Sequence, residues 1–165
     1  MKLKISFLVL MGVIILLSCR PAVAEEFANK RALANMSAVM AYYDVNVGVP
    51  AKLVTRLRLI AKTYDQLVSA GVTPGFIVGF RGKASYFVTK GDDYVFDEDL
   101  PAKKKVLKWI QALKARGIVM EQCRIAASLH DIDPKDILPE IEVVQNGYIS
   151  MIGYQAKGYS QIPMD

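Results

Sequence analysis

The sequence predicts an α/β fold, a single three-layer domain with a mostly parallel sheet of about five strands and helices on both faces. Three observations carry this reading. Short apolar runs bounded by Gly, Pro or Asn alternate with longer amphipathic stretches, as strands alternate with crossover helices. Within the longer stretches, apolar residues recur at helical spacing. No repeat, low-complexity tract or long linker interrupts residues 25–165, so one core serves the whole stretch.

The first strand is "SAVMAYYDV" at 37–45, apolar and aromatic in the manner of a buried strand. "VPAKLVTRLRLIAKTYDQLVSAG" is the first helix. Pro50 suits its first turn and Gly71 its stop, while Leu53, Leu57, Ile60, Tyr64 and Leu67 or Val68 recur on one side. "PGFIVGF" at 74–80 is a second strand between breakers. "RGKASYFVTKG" makes a loop and short helix, and "GDDYVFDED" an exposed acidic loop. The next helix begins near Leu100 or Pro101 and ends at Gly117. Val106, Leu107, Ile110 and Leu113 form its apolar stripe, and Lys103, Lys104, Lys105 and Lys108 its solvated side. "GIVMEQC" is a strand that stops at a cysteine, and "RIAASLH" returns to helical spacing. Asp133 caps a short helix that Pro134 opens and that ends by Pro139. "IEVVQNG" supplies a fourth strand, "GYISMIGYQAKG" an apolar helix stopped by Gly158, and "YSQI" a last edge strand. Tyr148, Met151, Tyr154 and Tyr159 of this end are expected in the core.

Residues 1–24 read as a signal peptide. Lys2 and Lys4 precede the uncharged run "ISFLVLMGVIILL", and Ala22-Val23-Ala24 supplies the small residues of a cleavage site. The run is short for a membrane span of about 20 residues. An alternative is a lipoprotein anchored through Cys19, since "LLSC" resembles a lipobox. Either way the expected location is the periplasm. Cleavage removes three of the 21 basic residues (Lys2, Lys4, Arg20) and none of the 16 acidic ones, so the net charge of +5 falls to about +2. The basic character belongs mostly to the precursor, and nucleic acid is not an expected partner.

The chain has two cysteines, Cys19 and Cys123, and export leaves Cys123 as the available thiol. In an oxidising compartment an unpaired cysteine points to an intermolecular bond or a reactive thiol; the other reading is a small buried hydrophobe. Cys123 ends a strand immediately before a helix. Open α/β sheets bind ligands at the carboxyl ends of their strands, and unpaired N–H groups at a helix start favour an anion there. Arg124 adds positive charge if its side chain turns the same way. Tyr43 and Asp44, Arg81 and Gly82, and Gln145-Asn146-Gly147 end the other strands on the same edge. Cys123 is thus the candidate catalytic residue, with Arg124, Arg81, Tyr43 and Asn146 as candidate substrate contacts. Arg81 either faces the thiolate or is a solvated loop residue, and Tyr43 and Asp44 have a structural alternative. His130 lies seven residues beyond the cysteine, near 10 Å along a helix. That is too far for a Cys–His relay, so it is assigned to a helix C-terminus.

One histidine and one remaining cysteine offer no zinc spacing. There is no G-x-S-x-G elbow, P-loop lysine or C-x-x-C pair. No metal and no cofactor is expected.

The segment "GIVMEQCRIAASLHDIDPKDILPEIEVVQNGYISMIGYQAKGY" resembles the DsrE/DsrF-like family in its exported branch, as do "YYDVNVGVPAKLVTRLRLI" and "FIVGFRG". The resemblance implies a compact α/β domain assembled as trimers or hexamers. It also implies a cysteine, here Cys123, that accepts sulfane sulfur as a persulfide and passes it on. The expected function is therefore that of a periplasmic sulfur carrier, sulfurtransferase-like, whose partners are sulfane-sulfur donor and acceptor proteins or small polysulfides. Two alternatives stand beside it: a non-catalytic oligomeric binding module with an inert packed cysteine, and a thiol redox sensor.

Overall fold

The computed structural model describes residues 29–165, and residues 33–165 form one compact unit. The signal segment and Cys19 lie outside the described residues. Among the described residues no helix is long and apolar enough to cross a membrane.

Five strands, β1 (Ala38–Val45), β2 (Thr73–Phe80), β3 (Val119–Cys123), β4 (Glu142–Val144) and β5 (Ser160–Pro163), make one sheet in the order β4-β3-β2-β1-β5. Every neighbouring pair is parallel. The helices are α1 (Pro50–Ser69), α2 (Leu100–Ala115), α3 (Arg124–Ser128) and α4 (Gly147–Ala156), with a 3₁₀ helix at Gly82–Val88. The predicted three-layer α/β class is the observed one.

Residue parity assigns the two faces, because successive strand side chains point to opposite sides. Tyr43 and Val45 of β1, Phe76, Val78 and Phe80 of β2, and Met120 of β3 face the main core. There they meet Leu53, Leu57 and Ile60 of α1 and Val106, Ile110 and Leu113 of α2, all six fully buried. Pro50 opens α1, and Gly71, at φ +76°, ends it in a conformation open to glycine. Tyr42 and Ile77 point the other way, where Met151 of α4 covers them.

Two expectations fail here. Lys103 is not on a solvated face: it is 1% exposed, and its Nζ donates to Thr89 Oγ1 at 2.7 Å and to the Gly91 carbonyl. It lies three residues before Val106 and seven before Ile110, so helix geometry places it on the buried stripe. Its stem fills the core while its ammonium ties down the loop after the 3₁₀ helix. Tyr148 of α4 is 58% exposed instead of core, since Met151 faces the sheet and Tyr148 stands at the helix's outer start; Met151 and Tyr154 do pack inward.

Candidate functional site at the carboxyl edge of the sheet

Cys123 is the last residue of β3 and the cap of α3. Its φ of −67° and ψ of 117° are still extended, and its Sγ accepts from the backbone N–H of Ala126 at 3.5 Å. Its place at the strand-to-helix junction is the expected one. The residue is 6% exposed and forms part of the wall of a pocket of about 370 Å³. Three chain crossings at neighbouring strand ends build that pocket: Arg81 and Gly82 after β2, Cys123 to His130 around α3, and Asn146 to Tyr148 at the start of α4.

The start of α4 presses directly on the cysteine. A Cβ on Gly147 would lie 3.0 Å from Cys123 Cβ and 3.6 Å from Sγ, so any side chain there would make Cys123 or the start of α4 give by a few tenths of an ångström. Asn146 sets the helix there, its Oδ1 accepting from the Tyr148 N–H at 3.0 Å. Asn146 therefore lines the pocket, with its side-chain oxygen committed to the cap.

Arg81 also lines the pocket, and its charge is already matched. Nε and Nη2 donate to the two carboxylate oxygens of Asp44, both at 2.6 Å, and Cζ sits 5.3 Å from the Tyr148 ring centroid. The Asp44 hydrogen bonds hold the guanidinium above its ordinary range. Parity explains the pair. Asp44 is level with Gly79 in the register and shares the α4 face with Arg81 two residues on. A glycine at 79 leaves room for the Tyr42 phenol, which lies over it.

The other two candidate contacts are not at this site. Arg124 is exposed and outside the pocket lining, because the first residue of α3 points away from the sheet while Ala126 and Ala127 turn inward. Tyr43 is 2% exposed on the opposite face, its ring edge-on to Phe76 at 4.9 Å, where burial pushes its phenol up to about 12. Being at the carboxyl end of a strand was insufficient; the odd position turned it into the core.

Sequence reasoning missed the walls. Ile125, Leu129 and Tyr148 line the pocket and are 44%, 77% and 58% exposed. The i, i+4 spacing of Ile125 and Leu129 next to the cysteine was the available signal. His130 belongs to the lining too, with Nδ1 3.0 Å from the Tyr86 hydroxyl. The chain leaves the helix after Ser128, so distance along a helix axis did not apply to it.

Below the cysteine, on the same face of β3, lies Glu121, 6% exposed. Its Oε1 accepts from Tyr154 Oη at 2.9 Å, and its buried Oε2 has no hydrogen-bond partner among the described residues. Burial first, then the Glu121 hydrogen bond and charge, push the Tyr154 phenol up to about 12. Burial, with Glu121 and Asp44 adding to it, also raises Tyr42 above the ordinary phenol range. A second pocket, about 360 Å³ at the amino end of β3, is lined by Lys114, Glu140 and Glu142 among others, with no cysteine, serine or threonine in its lining. No group of three or more His, Cys, Asp or Glu side chains is placed to hold a metal ion among the described residues.

The fold is shared with known structures. A protein of unknown function from Methanobacterium thermoautotrophicum, MTH1491, superposes with a TM-score of 0.54 at 15% identity, covering 76% of this chain and 97% of that one. The ychN protein from E. coli does so with a TM-score of 0.52 at 10% identity, covering 78% and 97%. In sequence, an uncharacterized protein of Aquifex aeolicus (strain VF5) is 29% identical over 129 residues, which is 77% of this chain and 56% of that relative. This chain thus spans little more than half of that relative's length. Residues 36–164, from just before β1 to the end of β5, match the DsrE/DsrF-like family, to which the chain belongs.

Proposed function

We propose that this chain is an exported sulfur carrier that holds sulfane sulfur as a persulfide on Cys123. The observation that carries the reading is a free cysteine in the wall of an open pocket, with a backbone N–H 3.5 Å from its sulfur. Membership of the DsrE/DsrF-like family supports it, since a persulfide-bearing cysteine is what that resemblance implies for Cys123. The composition of residues 1–24 supports export to the periplasm.

In the proposed step the Cys123 thiolate attacks the outer sulfur of a donor persulfide. One S–S bond forms as another breaks, and the donor leaves as its thiol. The reverse reaction with an acceptor thiol unloads the carrier. No net oxidation occurs, and a single nucleophile suffices; a neighbouring second cysteine would trap the persulfide as a disulfide. Incubation with polysulfide should add about 32 Da to the intact chain, lost on reduction and absent in Cys123→Ser. A native chain that keeps full thiol titre and unchanged mass after this treatment would end the proposal.

The 6% exposure of Cys123 supports a second reading, a binding module in which the sulfur is packed and inert. The outward face of α4 supports it further, with Ile149 and Ile152 65% and 66% exposed, as a surface that a homo-oligomer would cover. Slow thiol labelling in the native state against fast labelling once unfolded selects this reading. A thiol redox sensor would instead yield a disulfide-linked dimer on non-reducing electrophoresis.

A further inference from the structure

The Cys123 pocket is much larger than the cargo of a sulfur carrier. A single sulfur atom occupies a volume comparable with a water molecule's share of about 30 Å³, under a tenth of the 370 Å³ available. The remaining space is at the low end of the range for small organic ligands, about 300–1,000 Å³. Its walls are mostly apolar, from Ile125, Ala126, Leu129 and the Tyr148 ring. Among the described residues the one permanent cation in the lining is Arg81; the Nε–Nη2 edge of its guanidinium is taken by both oxygens of Asp44 at 2.6 Å, so its charge is paired while Nη1 stays outside the pair. The other basic group, His130, has its Nδ1 engaged with Tyr86.

From this balance we infer that the pocket is a subsite for the organic body of the donor, and that the preferred donor is a small organic persulfide with an apolar body. An inorganic dianion would shed water against apolar walls with no unmatched positive charge to receive it. An apolar body gains by leaving water for those same walls, while the single charge of the reacting sulfur stays beside the Ala126 N–H. The step is Cys123–S⁻ plus R–S–SH giving Cys123–S–SH plus R–S⁻. The donor's S–S bond breaks as the new one forms, its electron pair leaves on R–S⁻, and that thiolate takes up a proton. Thiosulfate would react by the same substitution with sulfite as leaving group, carrying its second negative charge through the pocket.

This inference rests on the carrier reading, and one set of rate measurements separates the two. Persulfidation of Cys123 in the native chain would be followed by intact mass with benzyl persulfide, glutathione persulfide and thiosulfate at equal concentrations. Benzyl persulfide should load at least tenfold faster than either charged donor. In the paired surface variant Ile125→Ser with Leu129→Ser that advantage should shrink below about threefold, and circular dichroism would confirm that the variant is folded. Equal rates for all three donors, or an advantage that survives in the variant, overturns the subsite while leaving the carrier intact. Failure of every donor to load overturns the carrier reading, and the subsite with it. Fast loading restricted to glutathione persulfide would likewise overturn the apolar body and point to a charged one.

Discussion

Asp44→Asn tests the charge balance of the pocket with a change of nearly constant shape. Asp44 accepts from Nε and Nη2 of Arg81 at 2.6 Å each, and the two side chains are 6% and 25% exposed. Hydrogen bonds to charged groups contribute roughly 1.5–3 kcal/mol each, and removing one partner of a fully buried pair costs roughly 3–5 kcal/mol. Arg81 is a quarter exposed, so water replaces part of what Asp44 supplied, and Asn retains one acceptor oxygen. The expected loss is about 2 kcal/mol, about 30-fold in the folding constant. It would appear in urea as a lower midpoint at unchanged slope. The substitution also leaves the guanidinium unmatched beside Cys123. A unit charge pair at an effective dielectric near 20 is worth about 4 kcal/mol at about 4 Å and falls in proportion to distance; across the pocket, with salt and open solvent, about 1 kcal/mol remains. Thiosulfate loading should therefore speed up roughly fivefold, while benzyl persulfide changes by less than about twofold. A midpoint shift worth under about 0.5 kcal/mol would mean that the pair is not held in solution. A full shift without faster thiosulfate loading would mean that Asp44 is not what cancels the pocket's charge.

Other substitutions test separate parts of the argument. Gly147→Val places a branched side chain 3.0 Å from Cys123 Cβ; α4 must lift, costing about 2 kcal/mol, and native labelling of Cys123 by a thiol reagent should speed up. Unchanged labelling would show that α4 does not gate the sulfur. Lys103→Ala removes the ammonium that Thr89 and Gly91 accept from, together with its buried stem, and should cost about 3–5 kcal/mol. Lys103→Met keeps most of the stem and should recover about half, so equal losses in the two variants would refute the split between stem and charge. Burial lowers the Lys103 pKa, against the pull of Asp92 and Asp93. The unfolded chain therefore binds more protons, and the lysine adds stability as pH rises toward 10.5. Tyr43 acts in the opposite sense. Its phenol is raised to about 12, so its contribution is complete below pH 10 and is lost as pH rises through 12. Tyr43→Phe should remove about 2–3 kcal/mol of that alkaline loss, and chemical denaturation at pH 9, 10.5 and 12 would check it.

Much of the site was legible one residue at a time. Cys123 could be placed at a strand end because a breaker-bounded apolar run stops there and helical spacing resumes at once. Asn146 could be placed by the Asn-Gly pair before an apolar helix. Arg124 failed because adjacency in sequence says nothing of direction at a helix start. Lys103 failed because a lysine was read by its charge, while its spacing from Val106 and Ile110 put its stem on the buried stripe. Tyr43 failed by one residue of strand parity, and Tyr42 beside it faces the site's side of the sheet.

What the sequence by itself determined is the succession of elements, their kind and their approximate limits. Those follow from spacing, proline and glycine, which act over a few neighbouring residues. The α/β class follows from the same alternation. Only the tertiary structure decided which strands adjoin, in the order β4-β3-β2-β1-β5, and which parity faces α4. That decision joins Asp44 to Arg81 across 37 positions, sets Gly147 against Cys123 and gathers the pocket walls from three crossings. The physical reason is that neutralising a charge and walling a cavity depend on distances between segments remote in the chain, and those distances exist only once register and packing are fixed.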